Sequence, residues 1–471
     1  MKAPPSFDQV QRIVLQGSLW AEARHLVLSL PERGAVRFLN LLLETTPPTA
    51  ASRVEQPREL QLQVSLGLSR RGLERLHLPD HLLSLLALKS PAFTAGAALR
   101  ASSQLGASGS SAPSTWADAF HFMTVDAVLS LHARSEGGAD AMVKAARDLA
   151  KDRHVQIREL PLSRRLPRPA KVESDDQAAQ WVHFGFRDGL ARIGIEHWTS
   201  PQKWAECSEL SRFPAGEFLL GHAQKSGANP WLSSTGRSVW PKEVREFFRD
   251  GSFGVLQQLE QNVADFEKFV HDKSKIVGLE PAELKAKLCG RTPQGVPLAD
   301  PTAKPTDDFD FELDRQGYGC PFGSHIRRMN PRGDALAHAG RVRPLLRRGM
   351  PYGSAWTGDD ADDEPRGLMG HFFCASIEEQ FEHLLGQWAE RVPMGSLDRG
   401  QARDPLIGQH ERGDGEFEIP QSGARPPLTV KDFRAFTRTR GLAYLFYPSL
   451  SSLRGLADSR LWRPADEDNE S

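Results

Sequence analysis

Phe253-Gly-Val-Leu-Gln-Gln-Leu259 is the stretch that decides the fold, because it predicts a strand with a helix directly behind it. The apolar face of that helix consists of Val263, Phe266, Phe269 and Val270. Charged residues occupy the opposite face, which is typical of an amphipathic helix packed on a sheet. A second helix with one apolar stripe is predicted from Ile377 to Glu390. The C-terminal half therefore predicts helices that cover a sheet.

The N-terminal half shows the same succession of strands and helices. Polar and apolar residues alternate in Leu60-Gln-Leu-Gln-Val-Ser-Leu66, the period of a half-buried strand. Further strands are predicted at Arg12–Leu15 and Val125–Leu131, with helices ending near Leu43 and starting near Gly137. Because strand, helix and strand recur without sequence repetition, the chain is expected to form two α+β domains.

Composition limits the function classes. The chain has 471 residues, with 59 Lys and Arg against 60 Asp and Glu, a net charge of −1. This balance gives no electrostatic basis for binding nucleic acid or an anionic membrane. No apolar run is long enough to span a bilayer, and the N-terminus has no apolar signal segment. The four cysteines are widely separated and lack metal-ligand spacing, so we expect a cytoplasmic protein.

Three stretches could carry chemistry. His325 lies among bends and basic residues in Gly319–Arg332, and a neutral imidazole can bind iron, zinc or copper. By itself, such a histidine is more often structural than a ligand. The chain has no HExxH pattern, which disfavours a zinc hydrolase.

The other two stretches present a carboxylate and a cation. In Phe184-Gly-Phe-Arg-Asp-Gly189 glycines flank Asp188 and predict a tight turn that presents its carboxylate. A plain Asx-type turn is the alternative. In Arg341-Val-Arg-Pro-Leu-Leu-Arg-Arg-Gly-Met-Pro-Tyr-Gly353, an arginine at the end of a buried strand, Arg347 or Arg348, could hold an anion in a pocket, and a solvated basic loop is the alternative. Successive side chains of a strand face opposite sides, so only one of the two is expected to enter the pocket.

Taken in order, these motifs resemble one family, the dye-decolourising (DyP-type) haem peroxidases. The central motif is Gly185-x-x-Asp188-Gly189, the GxxDG signature of that family. The remaining motifs are Gly216–Gly221, Asp250–Leu259, Cys320–Arg332, Leu345–Gly353 and Gly367–Ser376. The resemblance is strongest from Trp181 to Trp388 and weaker towards both ends. GxxDG alone is a weak pattern, whereas the ordered set is specific.

The resemblance implies two ferredoxin-like domains of the dimeric α+β barrel type with antiparallel sheets. The first, 1–235, would carry the GxxDG motif, and the second, 236–471, would hold most of haem b. By motif position, His325 would bind the haem iron. Asp188 would act as proton acceptor and donor on the opposite side, and Arg347 would stabilise negative charge on the peroxide. Hydrogen peroxide and a bulky aromatic or phenolic donor are the implied substrates, and a homo-oligomer is possible.

Two departures from the family pattern affect these expectations. After the aspartate motif, family members continue with polar residues and a proline, whereas this chain reads Leu190-Ala-Arg-Ile-Gly-Ile-Glu-His-Trp198. The loop is therefore expected to differ in shape, with slower peroxide chemistry. Gly370 stands where many members place a bulky apolar residue. Strand alternation should send Gly370 and His371 to opposite faces, so His371 is expected to be structural.

Three hypotheses follow from the sequence. The first is a haem peroxidase that oxidises aromatic donors in one-electron steps. The second is a haem-binding or carrier protein on the same scaffold with little turnover. The third is a haem-free structural relative within a larger assembly. The carboxylate that supports His325 is not identifiable from the sequence.

Overall fold

The structure is a computed structural model that describes residues 4–17, 20–51, 60–121, 124–151, 153–169, 179–226, 242–333, 342–358, 364–391 and 403–458. Its strands are β1 (Glu22–Ser29), β2 (Leu62–Leu68), β3 (Ala127–Ala133), β4 (Gln156–Glu159), β5 (Ser163–Arg164), β6 (Gln180–Trp181), β7 (Arg187–Asp188), β8 (Gly194–Ile195), β9 (Arg212–Phe213), β10 (Ser252–Gln261), β11 (Leu346–Arg347), β12 (Met350–Tyr352), β13 (Gly367–Cys374), β14 (Gly415–Ile419), β15 (Leu428–Phe433) and β16 (Thr437–Tyr447).

The helices cover the outer side of the sheet or connect its strands. They are α1 (Arg12–Leu15), α2 (Ala35–Thr45), α3 (Arg70–Arg75), α4 (Asp80–Lys89), α5 (Pro91–Ala95), α6 (Ala97–Leu105), α7 (Asp140–Lys151), α8 (Pro201–Glu206), α9 (Lys242–Phe248), α10 (Val263–Val277), α11 (Pro281–Cys289), α12 (His325–Met329), the π-helix Ile377–Ala389 and α13 (Leu450–Ala457). Within the described residues, no helix is both long and apolar enough to cross a bilayer.

Two antiparallel units make up most of the main sheet, which has ten strands within the described residues. In the first half the strands lie in the order β4-β1-β3-β2, and in the second in the order β16-β10-β13 with β11 and β12 beside β13. Both orders are those of a ferredoxin-like unit, with the last strand beside the first. The predicted α+β class with two ferredoxin-like domains is confirmed. The boundary between residues 235 and 236 lies outside the described residues and stays a prediction.

The two units join into one closed barrel. Strand β16 contacts β2 through the pair Phe446 and Leu68, and β12 contacts β5 through Tyr352 and Ser163. Each junction is a single residue pair, whereas β10 and β13 share eight pairs within the second unit. Closure of the sheet removes exposed edges and creates an interior face and an exterior face.

Several sequence predictions are confirmed with shifted ends, and one is wrong. The alternating strand is β2, and the strand predicted at Val125–Leu131 is β3. Arg12–Leu15 is helix α1 instead of a strand, and the first strand is β1. The three consecutive apolar residues Ile13 to Leu15 fit a short helix as well as a strand. In β1 the inward side chains include His25, so the strand lacks the apolar alternation that identifies one.

A second apolar cluster lies around α10 and supports the turn that carries Asp188. Phe266 and Phe269, predicted on the apolar face of this helix, are buried there. The ring of Phe266 packs against Phe184, with centroids 4.3 Å apart. Phe184 belongs to the hairpin of β6 and β7, so α10 anchors the turn that carries Asp188.

Candidate functional site

A cavity of about 1750 Å³ lies along the outer face of the sheet and continues to residues of the barrel interior, among them His132 and His371. Its wall includes residues of β10, β13 and β16, of helix α12 and of the π-helix. His325, Asp188 and Arg347 all line it, so the structure brings the three sequence-predicted site residues to one space. Cofactor pockets commonly measure roughly 300–1,000 Å³, and this cavity therefore has room beyond a single ligand.

His325 is the first residue of α12. The preceding Ser324 is fully buried, and its hydroxyl donates to the Lys287 carbonyl oxygen at 2.6 Å. The Arg328 side chain, one turn later, donates from Nε to the Trp388 carbonyl oxygen at 2.8 Å and so ties α12 to the π-helix. This short helix is held at both ends, and the imidazole keeps 23% of its surface accessible.

The Nδ1–H of His325 donates to Oδ2 of Asp404 at 2.9 Å. Asp404 is fully buried, and its other oxygen accepts from the backbone N–H groups of Leu406 and Ile407. Burial by itself raises the pKa of Asp404. The charge and hydrogen bond of His325, assisted by Arg328 and Leu406, outweigh burial and lower that pKa below its ordinary value. The pair leaves Nε2 of His325 available as a ligand, in the arrangement that orients metal-bound histidines.

Asp188 lies at the end of a hairpin, as the flanking glycines predict. Strands β6 and β7 pair through Gln180 and Asp188, and Gly185 N–H donates to the Val182 carbonyl oxygen at 2.8 Å in the turn. Gly185 and Gly189 have φ angles of 76° and 75°, the left-handed region in which glycine is least strained. The Asp188 side chain is exposed and borders the cavity.

Arg347 and Arg348 project to opposite faces of the sheet. Arg347 pairs with Phe372 across β11 and β13. The backbone N–H of Arg348 donates to the His371 carbonyl oxygen at 2.7 Å, which places these two residues opposite each other. Directly paired residues share a face, so Arg347 lies with Phe372 on the outer face and Arg348 lies with His371 on the barrel interior.

Gly370 and His371 follow the same alternation, as predicted. A Cβ on Gly370 would lie 2.7 Å from the Phe372 ring, so Phe372 fills the space that a larger side chain would need. His371 is fully buried, and its Nε2 lies 2.6 Å from the Tyr447 hydroxyl. His371 therefore lies on the face opposite Phe372, where it lines the interior part of the cavity, and its structural role stays a prediction.

A pair of arginines borders another part of the cavity. Arg291 and Arg332 both form ion pairs with Asp307, and both guanidinium groups pack on the ring of Phe309. Arg291, Arg332 and Asn330 line the cavity. Two guanidinium groups that share one carboxylate leave net positive charge here, suited to anionic groups of a cofactor.

Sequence reasoning did not identify Asp404, because it lies 79 residues from His325 and stands in no recognised motif. The only local signal is an Asp that precedes a proline, which indicates a turn and no chemistry. Among the described residues, no group of three or more His, Cys, Asp or Glu side chains could hold a metal ion. A metal at this site would therefore need a cofactor that supplies the remaining ligands.

Comparison with known proteins relates the sequence to peroxidases. No protein-family profile matches the chain. It is 28% identical over 424 residues to the dye-decolorizing peroxidase msp1 of Mycetinis scorodonius, covering 83% of this chain and 75% of the relative. It is 32% identical over 227 residues to the multifunctional dye peroxidase DyP2 of Amycolatopsis sp., covering 44% of this chain and 49% of that relative. The chain thus spans about half of the second relative.

Solved structures extend the likeness to the whole fold. The fungal DyP-type peroxidase of Auricularia auricula-judae superposes with a TM-score of 0.76 at 21% identity, covering 97% of this chain and all of the other. A dye-decolorizing peroxidase in complex with 2,6-dimethoxyphenol superposes with the same TM-score at 20% identity, covering 96% of this chain. At this identity the likeness establishes the fold.

Proposed function

We propose that this chain, which belongs to the dye-decolourising peroxidase family, binds haem b and reduces hydrogen peroxide while it oxidises aromatic donors. The observation that carries the proposal is one cavity lined by His325 with its buried carboxylate partner, by Asp188 and by Arg347. An axial ligand, a proton carrier and a fixed cation are the three protein groups that peroxide reduction at haem requires.

The residues present fit a haem group. His325 would bind the iron through Nε2, and Asp404 would hold the ring in orientation and increase its basicity. Arg291 and Arg332 would bind the haem propionates, because both are cationic and border the cavity. The apolar lining suits a flat macrocycle, and it includes Phe186, Ile326, Met329, Leu368, Phe372, Leu384 and Leu406.

When bound, haem supplies the redox-active iron that exchanges electrons with peroxide and donor. An ionised Asp188 carboxylate would accept the proton from one peroxide oxygen and return it to the other, which then leaves as water. The Arg347 guanidinium would stabilise negative charge on the departing oxygen. Among the described residues no carboxylate oxygen lies within 4 Å of the Arg347 nitrogen atoms, so this positive charge is not neutralised by an acid.

An aromatic or phenolic donor is proposed as the second substrate. The related protein that superposes here carries 2,6-dimethoxyphenol, a donor of this class. The segment after Asp188 borders the cavity through Leu190, Ile193 and Ile195, and beyond it the Trp204 ring packs under the Arg212 guanidinium at 5.5 Å. These apolar and aromatic surfaces favour a planar donor.

A haem-binding or carrier protein with little turnover is the second candidate. It is favoured by the segment from Leu190 to Trp198, which has no proline and places Leu190 and Ala191 directly after Gly189. A loop of this different shape would position a peroxide less well relative to the Asp188 carboxylate. Both candidates share the haem site and differ only in turnover.

The test combines a spectrum with an assay. Protein purified with haem should show a Soret band at one haem per chain and should decolourise an anthraquinone dye with peroxide. A Soret band with no turnover would support the carrier, and failure to retain haem would contradict both candidates. A cytoplasmic location is also proposed, supported by four unpaired cysteines, and cell fractionation would test it.

A further inference from the structure

The second arginine of the pair, Arg348, has no role in the proposed reaction. Its guanidinium donates three hydrogen bonds, to the carbonyl oxygens of Ile13 at 3.1 Å, Val14 at 3.2 Å and Arg347 at 2.9 Å. All three acceptors are backbone atoms. Within the described part of the chain, no carboxylate oxygen lies within 4 Å of its nitrogen atoms. The charge of this guanidinium is therefore not balanced by an acid.

The surroundings of Arg348 disfavour a positive charge that has no acid beside it. Burial, followed by the like charge of Arg347, lowers the pKa of Arg348 to about 10. The side chain is only partly exposed, and carbonyl dipoles replace only part of the hydration that its guanidinium loses, so a counter-charge would stabilise it.

Hydrogen-bond donors lie beside this charge. A phenol donates readily to a neutral imidazole, so the Tyr447 hydroxyl bonded to Nε2 of His371 leaves the proton of that ring on Nδ1. Nδ1 of His371 is buried and has no hydrogen-bond partner among the described residues, and the same holds for Nδ1 of His132. Buried polar atoms without partners are rare in folded proteins and indicate a bound water or ligand.

Three buried histidines, His25, His132 and His371, form a cluster of neutral rings. His25 lies between the other two, with ring centroids 5.6 Å from His132 and 6.0 Å from His371. Burial is the main cause that lowers the pKa of His25 to about 3, that of His132 to about 4 and that of His371 well below its ordinary value. The cluster therefore offers N–H donors without adding negative charge.

The surroundings of Arg348 open into the same cavity as the candidate site. Arg348, His371, His132, Gln63 and Trp20 line the same cavity as Asp188 and Arg347, and these five residues are called the inner chamber here. The Arg134 guanidinium lies 5.3 Å from the Trp20 ring centroid and adds positive potential. A small ion that enters the cavity can thus reach the interior of the barrel.

We propose that the inner chamber binds a small monovalent anion of halide or nitrate size, with the Arg348 guanidinium as its counter-charge and His371 Nδ1–H as a second donor. The anion offsets the repulsion between Arg348 and Arg347, and it thereby adjusts the field on the cavity side of the sheet. The site is built from the barrel itself, so it does not depend on the proposed peroxidase activity.

Bromide is the probe, because it is close to chloride in size and scatters anomalously. Crystals of the haem-loaded protein grown with sodium bromide should show an anomalous peak between Arg348 and His371. An adventitious ion only, with peaks confined to surface side chains, would overturn the proposal. Water in the inner chamber at saturating bromide would overturn it equally.

A solution experiment gives an independent readout. Saturating bromide should raise the melting temperature by roughly 3 °C relative to sodium gluconate at equal ionic strength, because a ligand stabilises the state that binds it. The rise should persist in Arg147→Met, which removes an exposed arginine, and vanish in Arg348→Met. If Arg348→Met does not fold, His371→Phe serves, with at least a tenfold higher bromide concentration at half-saturation. An equal rise in the folded variant and the wild type would refute the site.

Discussion

His325 Nδ1 and Asp404 Oδ2 lie 2.9 Å apart, and the carboxylate has no accessible surface. A buried acid that accepts from the imidazole and from two backbone N–H groups has one fixed orientation. The ring that it holds presents its second nitrogen to the cavity. Asp404 therefore fixes the orientation of the His325 ring as a ligand, and the effect of removing this support can be measured.

Asp404→Asn should weaken haem binding about 10–100-fold, because an amide cannot support the imidazole as a carboxylate does. The same change should raise the reduction potential of the bound iron, since the ligand becomes less basic. Haem titration and spectroelectrochemistry measure the two effects. Asp414→Asn is the control, because its carboxylate is exposed and lies outside the cavity. Equal haem affinity and potential in Asp404→Asn and wild type would contradict the assignment.

Asp188→Asn keeps the shape of the side chain and removes its ability to carry a proton. Haem content should be unchanged, and the reaction with peroxide should slow by about 10²–10⁴-fold in stopped-flow absorbance. Asp272→Asn, on the exposed side of α10, should react as the wild type does. An unchanged rate in Asp188→Asn would transfer the proton step to another group.

Arg347→Leu and Arg348→Leu should have different consequences because the two side chains occupy opposite faces of the sheet. Arg347→Leu should reduce the rate with peroxide by about 10²–10³-fold at unchanged stability. Arg348→Leu leaves three backbone carbonyl groups without their donor, so it should lower the free energy of unfolding by about 1–3 kcal/mol. Urea unfolding and stopped-flow mixing separate the effects, and the reverse pattern would show that the faces are misassigned.

The cavity wall also predicts a pH dependence of stability. Burial raises the pKa of Glu390 to about 7, above its ordinary value of 4.5. The folded state therefore holds the proton more tightly than the unfolded state. The free energy of unfolding should fall by roughly 3 kcal/mol as the pH rises from 4.5 to 7. In Glu390→Gln this part of the pH dependence should disappear from urea titrations, and an identical slope in both proteins would exclude Glu390 as its source.

The structural features that depend on short stretches of sequence could be predicted. The helical spacing of its apolar residues predicts the buried face of α10, and the two glycines, which adopt positive φ angles, predict the hairpin at Asp188. The role of β1 was missed, because the barrel interior is polar at His25 and interrupts the expected alternation.

Long-range pairings could not be predicted from one sequence. Asp404 meets His325 across 79 residues, and the junctions that close the barrel are single residue pairs. The opposite orientations of Arg347 and Arg348 were predicted from strand alternation, and the pairing of β11 with β13 supplies the face of each. The same register places Arg348 opposite His371.

The absorption spectrum of His325→Ala, purified with excess haem beside the wild type, tests the central claim most directly. His271→Ala, an exposed histidine on α10, is the matched control. The account predicts a Soret band in the wild type and the control and little or no haem retained by His325→Ala, with all three proteins folded by circular dichroism. A normal haem content and an unchanged Soret band in His325→Ala would contradict it.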